Sequence, residues 1–387
     1  MKIPYDNPRI HLYTRIQKSP FFYASRQHGV QSYTVCNRMY HPRHYDDMFA
    51  EYWKLVNDVT LWDVAVERQV EITGPDAFAF TNMLTPRDLT KCEVGQCKYL
   101  PMTDEQGKMV NNPVLLRLAD NHFWLSVADG DVLLWARGVA VHSGMDVQIT
   151  EPDVAPVQIQ GPKAKDVMRD LFGPGILELK YYFMTEATLN GMDVVISRTG
   201  YTGEVGYEIY LRNARRDGTA FWNTIIEAGK PHNLSPIGPC QIRRVEAGIH
   251  SYGSDMVIFN DPLNPFELGL DKLVNLNQEQ DFIGRAALQR IRDEGASRKI
   301  VGIELGGDPL VGYIEDYLLV HDGDTHIGYV TSAFWSPRLA KNIGYALVPA
   351  AHAETGTRLR ITKAAGVVDA SVVPMPFVDP NKEIPKS

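Results

Sequence analysis

The sequence predicts an α+β fold that ends in a small, separate all-β domain. Short strands and short helices follow one another through most of the chain, without the regular strand–helix–strand alternation of a doubly wound parallel sheet. The polar stretch 290–298 is typical of a linker. Beyond it, turn-forming residues divide a tail of roughly 80 residues into alternating strands, at Gly306-Gly307, Asp322-Gly323-Asp324 and Gly356. We therefore expect a first domain over residues 1–295 and a second over residues 298–380.

Each element of the first domain is predicted from its own pattern. Residues 1–45 carry scattered aromatic side chains without periodicity, which indicates an extended arm that must dock on the body. Apolar or alternating runs bounded by turn residues predict strands at 67–72, 98–102, 110–118, 123–127, 154–160, 193–197 and 207–211. Helical spacing of apolar residues predicts helices at 77–83, capped by Asp76, and at 129–142, 163–171, 219–229 and 241–248.

Composition excludes several functional classes. The 387 residues include 39 Lys and Arg against 47 Asp and Glu, whereas binding to nucleic-acid phosphates needs clustered positive charge. No uncharged apolar run approaches the ~20 residues that span a bilayer, and the N-terminal residues lack the apolar core of a secretory signal. The four cysteines are too few for a disulfide framework, and neither they nor the histidines show metal-site spacing. We expect a cytoplasmic protein that binds no nucleic acid, no membrane and no metal.

The richest motif is the segment Arg198-Thr-Gly-Tyr-Thr-Gly-Glu-Val-Gly-Tyr-Glu-Ile-Tyr210. Its glycines are three residues apart and lead into a strand, unlike the dinucleotide fingerprint, and no Gly-Lys-Ser/Thr closes it as in a phosphate loop. Its shape predicts a tight hairpin with glycine at positive φ. The turn also brings carboxylates beside tyrosine rings. That combination suits a flat heterocycle that stacks on the rings and donates N–H groups to a carboxylate.

This segment and seven further motifs, in the same order, resemble the glycine-cleavage T-protein (aminomethyltransferase) family. The resemblance covers about residues 50–375 and rests on the order of the pieces, since no single piece is specific. It implies a T-protein-like three-lobed arrangement, in which two interleaved α+β lobes and a C-terminal β-barrel surround tetrahydrofolate. The further motifs are Trp62-Asp63-Val64, Gly95-Gln96-Cys97-Lys98-Tyr99, Gln160-Gly161-Pro162, Arg244-Val245-Glu246-Ala247-Gly248, Asn264-Pro265-Phe266-Glu267, Asp281-Phe282-Ile283-Gly284-Arg285 and Val330-Thr331-Ser332.

The resemblance also implies which residues bind the cofactor. Glu208 corresponds to the family's carboxylate on the pteridine edge, and Tyr99 corresponds to a tyrosine that lines the folate pocket. Arg244 corresponds to an arginine near the folate. Tyr210 is a further candidate for stacking on folate, and Glu204 is a fifth candidate. The cofactor implied is tetrahydrofolate.

One hairpin departs from the family pattern. T-proteins carry Gly-Gly-x-x-Asp-Asp with an essential aspartate, whereas this chain has Gly107-Lys108-Met109-Val110-Asn111-Asn112. An asparagine cannot act as a general base or place a negative charge beside a reacting ammonium. Asn111 and Asn112 therefore argue against aminomethyl transfer from a lipoyl-bound intermediate.

Other elements resemble the branch of the family that demethylates dimethylsulfoniopropionate. The chemistry agrees, because a methyl group on sulfonium or quaternary ammonium departs from a neutral leaving group and needs alignment more than acid–base catalysis. Two features differ from that branch, namely the T-protein-like turn Gly200-Tyr201-Thr202-Gly203-Glu204 and Asn112 in place of an aspartate. The matching elements are Ser32-Tyr33-Thr34-Val35-Cys36-Asn37, residues 62–71, residues 84–91 and Asn111-Asn112-Pro113.

The sequence thus favours a tetrahydrofolate-dependent demethylase that moves a methyl group from dimethylsulfoniopropionate, or a related onium compound, to folate N5. The candidate catalytic residues are Asn111, Asn112 and Tyr201. Aromatic walls suit the cation, and the candidate substrate-binding residues are Trp62, Tyr33, Tyr182, Phe183 and Trp335. Either Arg68 or Arg87 is expected to meet a donor carboxylate. Glycine-cleavage aminomethyl transfer and demethylation of a betaine or methyl ether stay open. The expected partner is a small-molecule methyl donor, with a homodimer left open.

Overall fold

The computed structural model describes residues 11–364 and 366–387 of the chain. The helices are α1 (Phe22–Gln27), α2 (Met48–Asn57), α3 (Ala77–Met83), α4 (Val132–Ser143), α5 (Ala164–Phe172), α6 (Ala214–Gly229), α7 (Gln241–Glu246) and α8 (Arg285–Glu294). The strands are β1 (Ser32–Cys36), β2 (Met39–His44), β3 (Val59–Asp63), β4 (Gln69–Thr73), β5 (Cys97–Tyr99), β6 (Met102–Thr103), β7 (Met109–Asn111), β8 (Val114–Ala119), β9 (His122–Ser126), β10 (Gln148–Thr150), β11 (Val154–Gln160), β12 (Met184–Leu189), β13 (Met192–Ser197), β14 (Gly206–Arg212), β15 (Leu234–Pro236), β16 (Val257–Ile258), β17 (Asp261–Pro262), β18 (Arg298–Leu305), β19 (Leu318–Asp322), β20 (Thr325–Ser336), β21 (Lys341–Pro349), β22 (Arg358–Lys363) and β23 (Gly366–Val373).

A six-stranded sheet of order β12-β13-β14-β11-β3-β15 forms the first lobe. Its neighbours pair antiparallel, except that β15 runs parallel to β3. Alternate residues of β11 and β14, such as Val157, Ile159 and Ile209, point to one face and are fully buried. Helices α1, α5 and α6 pack on this face around Phe221 and Trp222. The opposite face of the sheet points toward the centre of the molecule.

A five-stranded antiparallel sheet of order β10-β4-β9-β8-β5 forms the second lobe. All of its strands fall, along the chain, between β3 and β11 of the first sheet, so the two lobes are interleaved. Its core joins Phe80 of α3 and Ala136 of α4 to Leu115 and Leu125 of the strands. The second lobe is therefore an insertion into the first sheet.

The third lobe is a closed six-stranded barrel of order β18-β21-β20-β19-β22-β23. Ile303, Val330 and Ile361 are fully buried in its interior. Helix α7 packs against β20 and β21, and the Tyr345 hydroxyl donates a 3.0 Å hydrogen bond to the carbonyl of Val245. These contacts fasten the barrel to the body.

The three lobes meet over the central face of the first sheet. Trp124 of the second lobe packs near Tyr210 of the first, with ring centroids 6.3 Å apart. Trp62 of the first lobe shares a second buried cluster with Phe334 of the barrel. The α+β class with three lobes and a C-terminal barrel is confirmed. No helix among the described residues is both long and apolar enough to cross a membrane.

The N-terminal arm is not the extended segment that the sequence predicts. It contains α1 and the hairpin β1–β2, whose turn residues Asn37 and Arg38 have φ values of 49° and 59°. Such left-handed values belong to tight hairpin turns, and asparagine tolerates them well. The Asn37 side chain donates to the carbonyls of Val66 and Ala128 and accepts the N–H of Gly130. The Asn37 amide is therefore one of the contacts that dock the arm on the body, and Phe21, which is buried against Phe221 and Trp222, is another.

Two further local predictions are wrong. Most of the expected linker 290–298 is helical, because α8 continues to Glu294 with Leu288 fully buried beside Phe282. Asp76 precedes α3 but does not cap it, since its carboxylate accepts the N–H of Asp146 at 2.8 Å instead. For Asp76, a contact 70 positions away in the sequence decides the local structure.

Candidate functional site

A polar row crosses the central face of the six-stranded sheet. Strand register places Gln158 of β11 directly opposite Trp62 on β3 and Glu208 on β14, and Ser197 of β13 opposite Glu208. Directly opposed residues point to the same face. The row is buried, and its members alternate with the apolar residues of the outer face. The fold thus carries a carboxylate and an amide into the junction of the lobes.

Glu208 accepts three side-chain hydrogen bonds in this row. The donors are the Gln158 amide at 2.7 Å, the Thr199 hydroxyl at 2.6 Å and the Tyr210 hydroxyl at 2.7 Å. Burial raises the pKa of Glu208, although these three hydrogen bonds oppose the rise. Of the predicted cofactor residues, Glu208 and Tyr210 are therefore in direct contact.

A second carboxylate, Glu67, faces Glu208, and sequence reasoning missed it as a functional residue. It lies in the loop between β3 and β4, inside the segment that resembles the demethylase branch. The same Gln158 amide nitrogen reaches one oxygen of Glu67 at 3.5 Å, and the Ser126 hydroxyl donates to the other at 3.2 Å. Burial and the neighbouring charge of Glu208 hold the pKa of Glu67 well above its ordinary value.

Tyrosines and one asparagine form a wall beside this carboxylate pair. The Asn112 amide donates to the Tyr99 hydroxyl at 3.2 Å, and Tyr182 lies close to both Tyr99 and Glu208. Burial raises the pKa of Tyr99 to about 12, so its phenol stays neutral at physiological pH. Arg87 donates to the carbonyl of Tyr99 at 2.7 Å and lies near Tyr182. The structure therefore brings three sequence-predicted residues, Tyr99, Asn112 and Tyr182, together with Arg87 into one wall near Glu208.

The Asn111 side chain forms hydrogen bonds with backbone atoms of the loop that follows β9. Its amide nitrogen donates to the carbonyl of Asp129 at 3.1 Å and reaches that of Ala128 at 3.5 Å, and its oxygen accepts the N–H of Ala128 at 3.1 Å. Only an amide can donate and accept here, because an ionised carboxylate has no donor. Asn111 thus fixes the loop that follows β9.

Two predicted cofactor residues form buried ion pairs with other side chains. Glu204 accepts from Arg243 at 2.7 Å. Arg244 pairs with Asp255, and it also donates to Ser332 at 2.8 Å. Both pairs are almost fully buried, and pairing of this kind satisfies charges that would otherwise be costly to bury. Arg244 therefore anchors α7 to the barrel.

The glycine-rich turn packs flat on one glutamine. A Cβ atom at Gly200 or Gly206 would lie 2.2–2.3 Å from the Gln160 amide, so only glycine allows this approach. Gly203 has a positive φ of 70°, as the hairpin prediction expects of a glycine in this turn, whereas Gly200 and Gly206 do not. The Gln160 oxygen in turn accepts the Thr202 hydroxyl at 2.8 Å. The turn is thereby held next to Glu208.

Two predicted tyrosines, Tyr201 and Tyr33, lie far from each other in the structure. Tyr201 lies beside Arg244 and within the influence of the Glu67 charge, close to the site. Tyr33 stacks on Phe22 at 5.0 Å in the N-terminal arm, next to Asp63 on the outer face of β3. The two residues lie on opposite sides of the first sheet.

Four residues predicted to contact the substrate remain, namely Trp62, Phe183, Trp335 and Arg68. Trp62 stands in the polar row, and its indole donates to Thr60 at 2.9 Å. Phe183 lies under Lys180, and Trp335 points away from the body because its neighbour Phe334 points toward it. Arg68 is already held by both oxygens of Glu151. Of these four, only Trp62 belongs to the central face.

Two family models match the chain, namely the GCVT N-terminal domain over residues 21–278 and the glycine cleavage T-protein C-terminal barrel domain over residues 298–379. The chain belongs to the glycine-cleavage T-protein family. It is 36% identical over 358 residues to the dimethylsulfoniopropionate demethylase DmdA of Ruegeria pomeroyi, covering 92% of this chain and 96% of that protein. It is 33% identical over 373 residues to an aminomethyltransferase of Alkaliphilus oremlandii, covering 94% of this chain and 98% of the other.

Among solved structures, the crystal structure of the glycine cleavage system aminomethyltransferase T from Bartonella henselae superposes with a TM-score of 0.83. It is 24% identical and covers 94% of this chain and 99% of that one, so it supports the fold. Membership in the T-protein family makes this chain an enzyme, a tetrahydrofolate-dependent methyltransferase.

The residues of the site fit a reduced pterin. Among the described residues, the side-chain oxygen of Asn112 is a buried acceptor without a hydrogen-bond partner. Tetrahydropterin carries several N–H groups along its edges, which this acceptor and the Glu208 carboxylate can receive. No group of three or more potential metal ligands occurs in the described part of the chain.

Proposed function

We propose that this enzyme is a demethylase that transfers a methyl group from dimethylsulfoniopropionate, or a related onium compound, to N5 of tetrahydrofolate. The observation that carries the proposal is the hairpin Asn111–Asn112. Asn111 is bound to the backbone of Ala128 and Asp129, and Asn112 to Tyr99, so neither can accept a proton. A reaction with a neutral leaving group needs no base at this hairpin.

We propose that the cofactor is held by Glu208, Tyr210, Tyr99 and Asn112. Bound tetrahydrofolate supplies a neutral amine as the methyl acceptor. Glu208 is preorganised to accept N–H donors, because three hydrogen bonds already fix its orientation. Tyr99 keeps its proton and presents a ring to the ligand, while the free oxygen of Asn112 accepts one further N–H group.

The protein's share in the reaction is alignment and exclusion of water. Alignment of two reactants in a fixed pocket lowers the barrier to methyl transfer, and no residue has to remove a proton in that step, because the N5–H proton leaves only after the N–C bond has formed. Trp62, Tyr182 and Tyr201 border the central face and offer rings to an onium group. Arg87 is the better candidate for a donor carboxylate, because Arg68 is bound to Glu151.

Product analysis tests this proposal. The enzyme is incubated anaerobically with tetrahydrofolate and, separately, with dimethylsulfoniopropionate, glycine betaine, dimethylglycine or a methoxy-aromatic acid, and the folate is analysed by mass spectrometry. We expect 5-methyl-tetrahydrofolate with an onium donor. Formation only with the methoxy acid would point to a methyl ether, whose leaving oxygen needs protonation by a group such as Tyr201.

Aminomethyl transfer in glycine cleavage is the second candidate. Two observations favour it, namely the T-protein-like turn Gly200–Glu204 and the 33% identity to an aminomethyltransferase. The test adds an aminomethylated lipoyl carrier protein and looks for 5,10-methylene-tetrahydrofolate. Its formation by the wild-type enzyme, with no methyl transfer from any donor, would overturn the inference drawn from the hairpin.

A further inference from the structure

Glu67 and Glu208 form a pair of carboxylates at the junction of the lobes. One amide nitrogen, that of Gln158, lies between them at 2.7 Å from Glu208 and 3.5 Å from Glu67. Within the described residues, neither glutamate forms an ion pair with a lysine or arginine. Charges buried in this way need a proton or a cationic partner.

The two carboxylates differ in how well they are satisfied. Glu208 receives three short hydrogen bonds, whereas Glu67 receives one hydroxyl at 3.2 Å and the remote amide at 3.5 Å. The Glu67 oxygens thus keep lone pairs for a ligand. A positive group placed against Glu67 would gain attraction in a region of low dielectric constant.

Two buried glutamines supply independent evidence of a ligand next to Glu67. The side chains of Gln69 and Gln158 belong to residues only 1% exposed, and the amide oxygen of each lacks a hydrogen-bond partner. Their amide nitrogens are directed to the same group of side chains, Gln69 to Ser126 and Gln158 to the carboxylates. Buried acceptors are normally satisfied, so these two oxygens are suited to a ligand that carries positive charge.

The loop that carries Glu67 is fixed from the other side. The Asn37 amide donates to Val66, the residue before Glu67, and to Ala128 in the loop that holds Asn111. Tyr201 and Tyr210 lie close enough to respond to the charge of Glu67. Glu67 therefore stands between the Glu208 end of the site and the Asn111 hairpin, bordered by tyrosine rings.

We propose that Glu67 is the counter-charge for the onium group of the methyl donor and determines the preference for cationic over neutral donors. This inference rests on the proposed function and names the residue that selects its substrate class. Glu208 stays assigned to the cofactor. The tyrosine rings and the Glu67 carboxylate together surround a sulfonium or quaternary ammonium group with negative potential.

Binding of a matched pair of ligands tests the proposal. Calorimetry compares 3-(trimethylammonio)propionate with its isostere 4,4-dimethylpentanoate, which keeps the carboxylate but lacks the positive charge, in the presence of folic acid, which has no nucleophilic N5. We expect the wild-type enzyme to bind the cation at least 10-fold more tightly, and Glu67→Gln to bring the ratio close to one. Glu67→Asp should keep part of the preference, and the affinity for folic acid should change less than 2-fold in both variants.

Glu71→Gln is the control, because it makes the same substitution four positions along the chain, at a glutamate of β4 whose side-chain partners are His122, Trp124 and Thr150. An unchanged cation preference in Glu67→Gln would overturn the proposal, as would a loss confined to folic acid affinity. A Glu67-dependent preference without methyl transfer would leave Glu67 as a cation site while the proposed reaction fails. If methyl transfer occurs without a Glu67-dependent cation preference, the proposed reaction stands and the proposed role of Glu67 fails. If neither ligand binds, both proposals fail.

Discussion

Replacement of Glu208 by glutamine should weaken tetrahydrofolate binding by about 10- to 150-fold. The carboxylate receives hydrogen bonds from Gln158, Thr199 and Tyr210, so it cannot rotate away, and its remaining lone pairs face the junction of the lobes. A charge-assisted hydrogen bond contributes about 1.5–3 kcal/mol, which converts to this range of dissociation constants. Glutamine has the same shape but only one acceptor oxygen.

The assay is an anaerobic titration of intrinsic fluorescence with tetrahydrofolate, performed on the wild-type enzyme, Glu208→Gln and the control Glu71→Gln. Glu71 receives three side-chain hydrogen bonds as Glu208 does, so the control measures the general cost of such a change within a strand. Circular dichroism confirms that each variant is folded. Equal folate affinity in wild type and Glu208→Gln, or an equal loss in the control, would refute the assignment of Glu208 to the cofactor.

Three further predictions concern the surroundings of the site. Asn111→Asp should lower the free energy of unfolding by about 1–3 kcal/mol in urea titrations, because a carboxylate cannot donate to the carbonyls of Ala128 and Asp129; a smaller loss is expected for Asn112→Asp, and the opposite order would contradict this role. Gly206→Ala should lower the free energy of unfolding by about 1–3 kcal/mol, because the new methyl group displaces Gln160, and it should also weaken folate binding. Gly191→Ala, in an open turn at φ 81°, should lower the free energy of unfolding without changing folate binding. The raised pKa of Glu67 means that the folded protein retains a proton that the unfolded chain releases, so the melting temperature of the ligand-free enzyme should fall as pH rises above ~4.5; Glu67→Gln should reduce this fall, and an identical pH profile in both proteins would contradict the inferred burial.

Much of the first sheet could be predicted from the sequence because its signals are local. The apolar run of residues 154–160 and the alternation of residues 207–211 predicted β11 and β14 to within about one residue. Once those strands pair, the register of Gln158 with Glu208 follows from the alternation of side chains. The resemblance added Glu208 itself, which no local pattern distinguishes from any other strand glutamate.

The features that the sequence did not reveal depend on contacts between residues that are distant in the chain. Glu67 follows a strand in a loop, and only the pairing of β3 with β11 brings it opposite Glu208. Arg244 matches a family motif, yet its buried partner Asp255 could not be inferred from spacing. The hairpin of the arm depends in the same way on Asn37, whose partners are about 30 and 90 positions away. Contacts of this kind leave no periodic trace in the chain.

The interleaving of the two lobes has a consequence for the order of events during synthesis. Strand β3 is made early, but its partners β11 and β15 leave the ribosome only after the whole second lobe, and Val59 pairs with Leu234 about 175 positions later. The inserted lobe has its own core and can fold while β3 still waits for its neighbours. Glu208 lies on β14, so the cofactor pocket closes as one late step of maturation. Until then β3 exposes unpaired edges, and this interval is when the nascent chain is most open to aggregation or to capture by a chaperone.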